Sequence, residues 1–194
     1  MPPRATISLL LVLLIISGAS GCRSSPGPAT VDAIDLVRQF GAAEKRPAES
    51  AFEIADYGAG GVPRPSIVST APSRLTWTLR LPARGTFHAQ LHVRSDRAAD
   101  ETLGFRIGIS DDRVYEQLAH VSLSSTVTGW TPISADLSRY AGRKWSLFYR
   151  PDEKAWRLIL SVDAAPGTGA RAAWGAPAIA TDTAAARALR SGKL

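Results

Sequence analysis

The sequence predicts an antiparallel β-sandwich with a short helix on its N-terminal side. Three observations carry this. Several short segments alternate apolar and polar residues with a period of two. Clusters of Pro, Gly, Asp and Ser separate them, as turns would. The clear helical spacing lies ahead of them all, at Val31–Phe40. A lone helix followed by a block of strands argues for packed sheets rather than alternating β-α units. With 194 residues, 45% of them hydrophobic, the chain supports one domain with a sizeable core.

Residues 1–21 stand outside the fold as a signal peptide. Arg4 and the amino terminus give a modest positive start, Ile7–Ile16 is an apolar run, and Ser17–Gly21 are small. A secretory signal has this three-part form, and the run falls short of the roughly 20 residues that a transmembrane helix needs. Cys22, the only cysteine, follows directly. Ala19-Ser20-Gly21-Cys22 resembles the lipobox of bacterial lipoproteins, with Ala19 where that family most often has Leu. The resemblance implies cleavage after Gly21 and a diacylglyceryl group on the Cys22 thiol. The expected partner is then a membrane, and the expected address the bacterial cell envelope, on the periplasmic face of the outer membrane in a Gram-negative source. Two or three acyl chains anchor stably where one is marginal.

Residues 22–30 are the lipidated Cys and a Ser/Pro/Gly tether, short enough to keep the domain near the membrane. Residues 31–47 are expected as a helix packed on or near the sandwich. Thr30 is placed to cap it, Asp32 and Asp35 sit in its first turns, Leu36 and Phe40 share a face, and Gly41 and Pro47 stop it.

Residues 52–181 carry the strands. Leu75, Trp77, Leu79 and Leu81 alternate with Thr76, Thr78 and Arg80. Phe87, Ala89, Leu91 and Val93 alternate with His88, Gln90, His92 and Arg94. Pro82–Gly85 between these two runs predicts a hairpin turn. Phe105, Ile107 and Ile109 form a third run, after the polar Ser95–Gly104 loop. Tyr115, Leu118, Val121 and Leu123 are spaced in a way that selects neither strand nor helix. Trp130, Ile133, Ala135 and Leu137 predict a strand with an irregularity at Pro132. Further strands are expected around Trp145, Leu147 and Tyr149, around Trp156–Val162, and at Ala172–Ile179. The Ala-rich residues 182–194 are expected as a frayed or disordered tail.

Several of these residues resemble a known pattern. Trp130, Ile133, Asp136-Leu137-Ser138 and Tyr140-Ala141-Gly142, an aromatic strand, and then Trp174-Gly175-Ala176-Pro177-Ala178-Ile179 resemble the galactose-binding-like jelly-roll superfamily. Phe105–Leu118 is similar to the version of this module found in bacterial envelope proteins. The resemblance implies a jelly-roll β-sandwich and not a ligand, because the fold hosts sugar-binding, protein-binding and structural members.

Little in the sequence points to catalysis or cofactors. A single Cys excludes an internal disulfide and a Cys-based zinc site. His88 and His92 share a strand face but lie about 13 Å apart, too far to share one metal. No nucleophile elbow, P-loop, GxGxxG or HExxH motif is present. The Ser95–Glu101 loop offers oxygen donors to a structural calcium ion, without EF-hand spacing, and no other cofactor is expected. The net charge of +6 is spread along the chain without a Lys/Arg run, so nucleic acid is not an expected partner. The expectation is a non-catalytic binding module for a glycan or an envelope protein, or else an assembly subunit of an envelope complex. Its candidate binding residues are the polar strand face His88, Gln90, His92 and Arg94, together with Trp130.

Overall fold

The computed structural model describes residues 33–82, 84–96, 100–140 and 155–181, all within one compact unit, Val31–Leu194. Cys22, the tether, the expected Trp145–Tyr149 strand and the tail lie outside the described residues.

The described strands are β1 (Ala33–Asp35), β2 (Glu44–Arg46), β3 (Phe52–Ala59), β4 (Val62–Thr70), β5 (Ser73–Leu79) and β6 (Thr86–Arg94). They continue with β7 (Thr102–Ser110), β8 (Tyr115–Ser124), β9 (Thr131–Asp136), β10 (Trp156–Ala164) and β11 (Arg171–Ala180). They form two antiparallel sheets. The first runs β3-β4-β11-β6-β9, with β1 added beside the end of β11. The second runs β2-β5-β10-β7-β8. From β5 onward the chain passes repeatedly from one sheet to the other, so most neighbours in a sheet are distant in sequence, as a jelly roll requires. The fold class expected from the sequence is the one observed, apart from its helix.

Strand β11 holds the two sheets together. Trp174, on its inward face, is buried and meets Phe87 of β6 edge-on at 6.5 Å and Phe105 of β7 at 5.1 Å. Phe105 belongs to the opposite sheet, so one indole spans the sandwich. Around it the odd-numbered residues Phe87, Leu91 and Val93 of β6 and Phe105, Ile107 and Ile109 of β7 are all buried. The period-two pattern read from those runs therefore reports the core correctly.

Three local expectations are corrected, and one reading that the sequence left open is decided. Residues 31–47 do not form the expected helix: the described part, from Ala33, is β1, a turn, a 3-10 turn at Phe40–Ala42, and β2. β4 pairs with β11 only as far as Gly175, and β1 takes up the same edge at Ala178–Ala180. Pairing that otherwise bare edge overrides the helical spacing. Asp35 Oδ1 accepts the N–H groups of Val37 and Arg38, closing a turn where a helix would have continued. Leu36 is buried in the main core, and the Gln39 carbonyl accepts the Trp77 indole N–H at 2.9 Å.

Second, β5 and β6 do not form a hairpin. The turn before Gly85 exists, with Gly85 N–H donating to the Pro82 carbonyl, but it carries the chain from one sheet to the other. Local turn chemistry is the same for both outcomes. Third, Pro132 causes no irregularity and pairs in register with Gln90. β9 lies at the edge of its sheet, where a missing N–H is tolerated. Last, the open reading is decided: β8 is a strand whose ambiguous spacing comes from a bulge. Ala119 faces Ile107 and Gln117 faces Gly108, leaving Leu118 as the extra residue.

Replacing Trp174 with Ala removes the ring that joins the sheets. The expected loss is about 3–5 kcal/mol of unfolding free energy, measured by urea titration of the chain from residue 23. A loss below about 1 kcal/mol would show that the inter-sheet contact is not the main support.

Candidate functional site

The first sheet turns one face to the core and the other outward. On β6 the even residues His88, Gln90, His92 and Arg94 take the outward face. Three of their cross-strand partners on β11 are small, Ala178 opposite His88, Gly175 opposite Gln90 and Ala173 opposite His92, while Arg171 lies opposite Arg94. That leaves a shallow floor, which Trp130 covers. A Cβ placed on Gly175 would stand only 2.7 Å from the Trp130 ring, so glycine is what lets the indole lie there. The Trp130 N–H donates to the Val62 carbonyl at 2.8 Å, tying the residue just before β9 to β4 on the far side of β11.

Two further rings gather around it. His92 lies 5.9 Å from Trp130, and Tyr57 of β3 lies 5.7 Å from His92 and 6.3 Å from Trp130. All three are part-exposed. Arg64, the direct partner of Tyr57 across the β3–β4 hairpin, stands 6.0 Å over the Trp130 ring. Its Nε is buried and makes no hydrogen bond. The Arg94 guanidinium lies near the Tyr57 hydroxyl and pairs with Asp96 at 3.0 Å, and Arg171 pairs with Glu53 at 2.9 Å.

The protonation states follow from these contacts. Burial is the main cause that holds the His92 pKa below its usual value, and its hydrogen bond to Gly129 pulls weakly the other way. The Gly129 carbonyl, 3.3 Å from Nδ1, can only accept, so Nδ1 carries the proton of the neutral ring. Burial likewise raises the Tyr57 phenol, against the opposing pull of Arg94. At neutral pH the site therefore presents neutral rings and hydroxyl donors bordered by guanidinium groups.

Of the five sequence-predicted residues, the structure brings His92, Trp130 and, through Tyr57, Arg94 into one cluster. His88 and Gln90 are not part of an exposed face: only 4% and 7% of their surface is accessible. Tyr57 and Arg64 are additions that the sequence reading missed. Their signal was Gly60-Gly61, both at positive φ, which forms a two-residue hairpin loop and sets Tyr57 opposite Arg64.

Among the described residues no group of three or more His, Cys, Asp or Glu side chains could hold a metal ion. In the expected calcium loop the acids are already engaged. Asp100 accepts the Ser124 hydroxyl at 2.5 Å, and Glu101 accepts the Ser95 hydroxyl and the Gly169 N–H.

No known protein family and no curated protein matches the chain. Solved structures similar to it in fold include carbohydrate-binding modules. The CBM51 from Clostridium perfringens GH95, solved with methyl-galactose, is 13% identical at a TM-score of 0.48, over 76% of this chain and 99% of that one. TmCBM61 with beta-1,4-galactotriose is 10% identical at 0.45, over 72% and 88%. The CBM51-2 and INT domains of Clostridium perfringens ZmpB are 13% identical at 0.44, over 71% of this chain but only 27% of that one. Likeness at this level assigns no residue a role.

Two measurements probe this geometry. Gly175→Val should expel the Trp130 ring, shifting its 19F resonance in 5-fluorotryptophan-labelled protein, with Trp130→Phe assigning the peak. An unmoved peak would contradict the packing. By NMR, His92 should titrate below the ordinary histidine value of about 6.5. The unfolded chain then binds this proton first, so the His92 contribution to stability declines as pH falls from about 6.5 and levels off below the folded pKa.

Proposed function

We propose that this chain is a non-catalytic glycan-binding module of the bacterial envelope, anchored through lipid on Cys22. One observation carries the binding part: three part-exposed rings, Tyr57, His92 and Trp130, cluster on an outward sheet face beside an arginine whose buried Nε has no partner. Aromatic faces pack against the C–H faces of pyranoses, and a guanidinium supplies directed hydrogen bonds to hydroxyl or carboxylate oxygens. A small apolar platform with a few placed polar groups is the usual composition of a ligand site. The likeness in fold to carbohydrate-binding modules agrees with this reading without supplying the residues.

The anchoring part rests on Ala19–Cys22 and the apolar run before it. A second reading, an assembly subunit of an envelope complex, draws on β3. That strand lies at the edge of its sheet, and Ile54 on it is 50% exposed.

On a glycan array, the chain from residue 23 should retain a defined saccharide class. Trp130→Ala should weaken that binding by at least about tenfold, roughly 1.4 kcal/mol. An array without any saccharide bound, alongside a stoichiometric crosslinked protein in native membranes, would favour the assembly reading. For the anchor, mass spectrometry of the mature N-terminus should find a diacylglyceryl-modified Cys22. An unmodified Cys22 or an intact Met1 refutes it.

A further inference from the structure

The second sheet carries a feature that this function does not use. Its register places Arg46 of β2 directly opposite Arg74 of β5. Arg74 in turn faces Ser161 of β10, Ser161 faces Arg106 of β7, and Arg106 faces His120 of β8. These five residues form one continuous cross-strand row. Directly paired residues point to the same side of a sheet, and the inward positions beside them, Leu75, Leu160, Val162 and Phe105, are buried in the core. The row therefore lies on the outward face. With strands about 4.8 Å apart, it spans roughly 19 Å.

Its charges are unbalanced. Like charges directly opposite each other destabilise a sheet pair. Arg46 and Arg74 are both exposed, and neither makes an ion pair with a carboxylate of the described residues. Arg106 is partly satisfied by Asp163, on the same strand as Ser161. Beside the arginine pair lies an open pocket of about 430 Å³, lined among others by Arg46, Pro47, Pro72, Arg74, Ser161 and Asp163. Elsewhere on this face a cation has two carboxylate partners: Arg157 reaches both Glu44 at 2.7 Å and Asp112 at 3.0 Å. The unmatched pair at Arg46 and Arg74 is therefore a local choice and not a general shortage of acids.

We infer that this row and its pocket form a second binding site, for an acidic polysaccharide. A carboxylate or sulfate on the polymer would lie between Arg46 and Arg74 and relieve their repulsion. Ser161 offers a hydroxyl donor and acceptor, and Asp163 an acceptor for sugar hydroxyls. The row carries no Phe, Tyr or Trp on which bases would stack, which argues against single-stranded nucleic acid.

The test uses the chain from residue 23 with dextran and dextran sulfate, which share a backbone and differ in charge. Dextran sulfate should bind, more weakly as salt rises, and plain dextran should not bind at this site. The double variant Arg46→Gln/Arg74→Gln should lose at least tenfold in affinity. The charge-matched control Arg80→Gln/Arg84→Gln should stay within about twofold. Polygalacturonate should compete, as a carboxylated ligand. An equal loss in the charge-matched control would reduce the effect to net charge. Competition by single-stranded DNA as strong as that of polygalacturonate would overturn the assignment to a glycan. Loss of dextran sulfate binding in Trp130→Ala would place the anion at the aromatic face instead, so failure here is distinguishable from failure of the first site.

Discussion

Two neighbouring residues on one strand set most of this structure. Trp174 points inward from β11 and joins the sheets through Phe105, while Gly175 points outward and gives the Trp130 ring its seat. Alternation puts neighbours on opposite faces, so the core and the aromatic site share a backbone segment without sharing side chains. β11 can serve both because it pairs along its length: with β6 on one side, and with β4 and then β1 on the other. A bulge between Gly175 and Ala178 marks where the β6 register shifts, close to where β4 gives way to β1. Pro177 within it offers its carbonyl to the Leu36 N–H, so the N-terminal segment is held at that same irregularity. What looks like an appendage to the sandwich is part of how its central strand is closed off.

The legibility of the sequence followed from how far each signal depends on distant partners. Period-two alternation is local, and it located β6, β7 and β10 and the buried Trp77. Spacing that a bulge interrupts is not local, which is why β8 could be read either way until Ala119 was seen opposite Ile107. The helix expected over Val31–Phe40 failed for a similar reason. Leu36 and Phe40 do turn inward, but the free edge of β11 claimed the residues before them as a strand. Turn chemistry before Gly85 marked a change of direction and was silent on whether the chain returned to the same sheet. The site was half legible. His92, Arg94 and Trp130 came from a readable strand face and a conspicuous Trp. Tyr57 and Arg64 came from a hairpin whose strands, carrying Pro63 and Pro65, lack the usual alternation. Those prolines are tolerated because β11 pairs with β4 only from Ser66 onward, leaving the Val62–Pro65 edge unpaired on that side.

The two outward faces differ in how their cations are used. On the first sheet Arg94 and Arg171 have carboxylate partners, which fix their positions beside the rings. Exposed ion pairs contribute little to stability, so orientation is the better account of them. Arg64 is the exception, held over Trp130 with a buried Nε free. On the second sheet the pattern reverses: the side chain in the middle of the sheet, Arg157, is doubly paired, while the edge pair Arg46 and Arg74 is left bare. Among the described residues, cationic capacity is left beside the aromatic rings on one face and beside a hydroxyl and an acid on the other.

Placing two such sites on opposite sheets has a geometric consequence. A sandwich is about 10 Å thick between its sheets, so one saccharide cannot reach both faces through the core. A polymer would have to wrap an edge, or two polymers would have to bind at once. Linking two weak contacts through one rigid body makes the second event intramolecular, and the gain depends on whether the ligand can span the separation. If both proposed sites hold, a module built this way would favour long or networked glycans over short soluble ones, even with neither face tight alone. That preference needs no deep pocket, which fits a domain whose outward faces are shallow and whose large side chains are committed to the core.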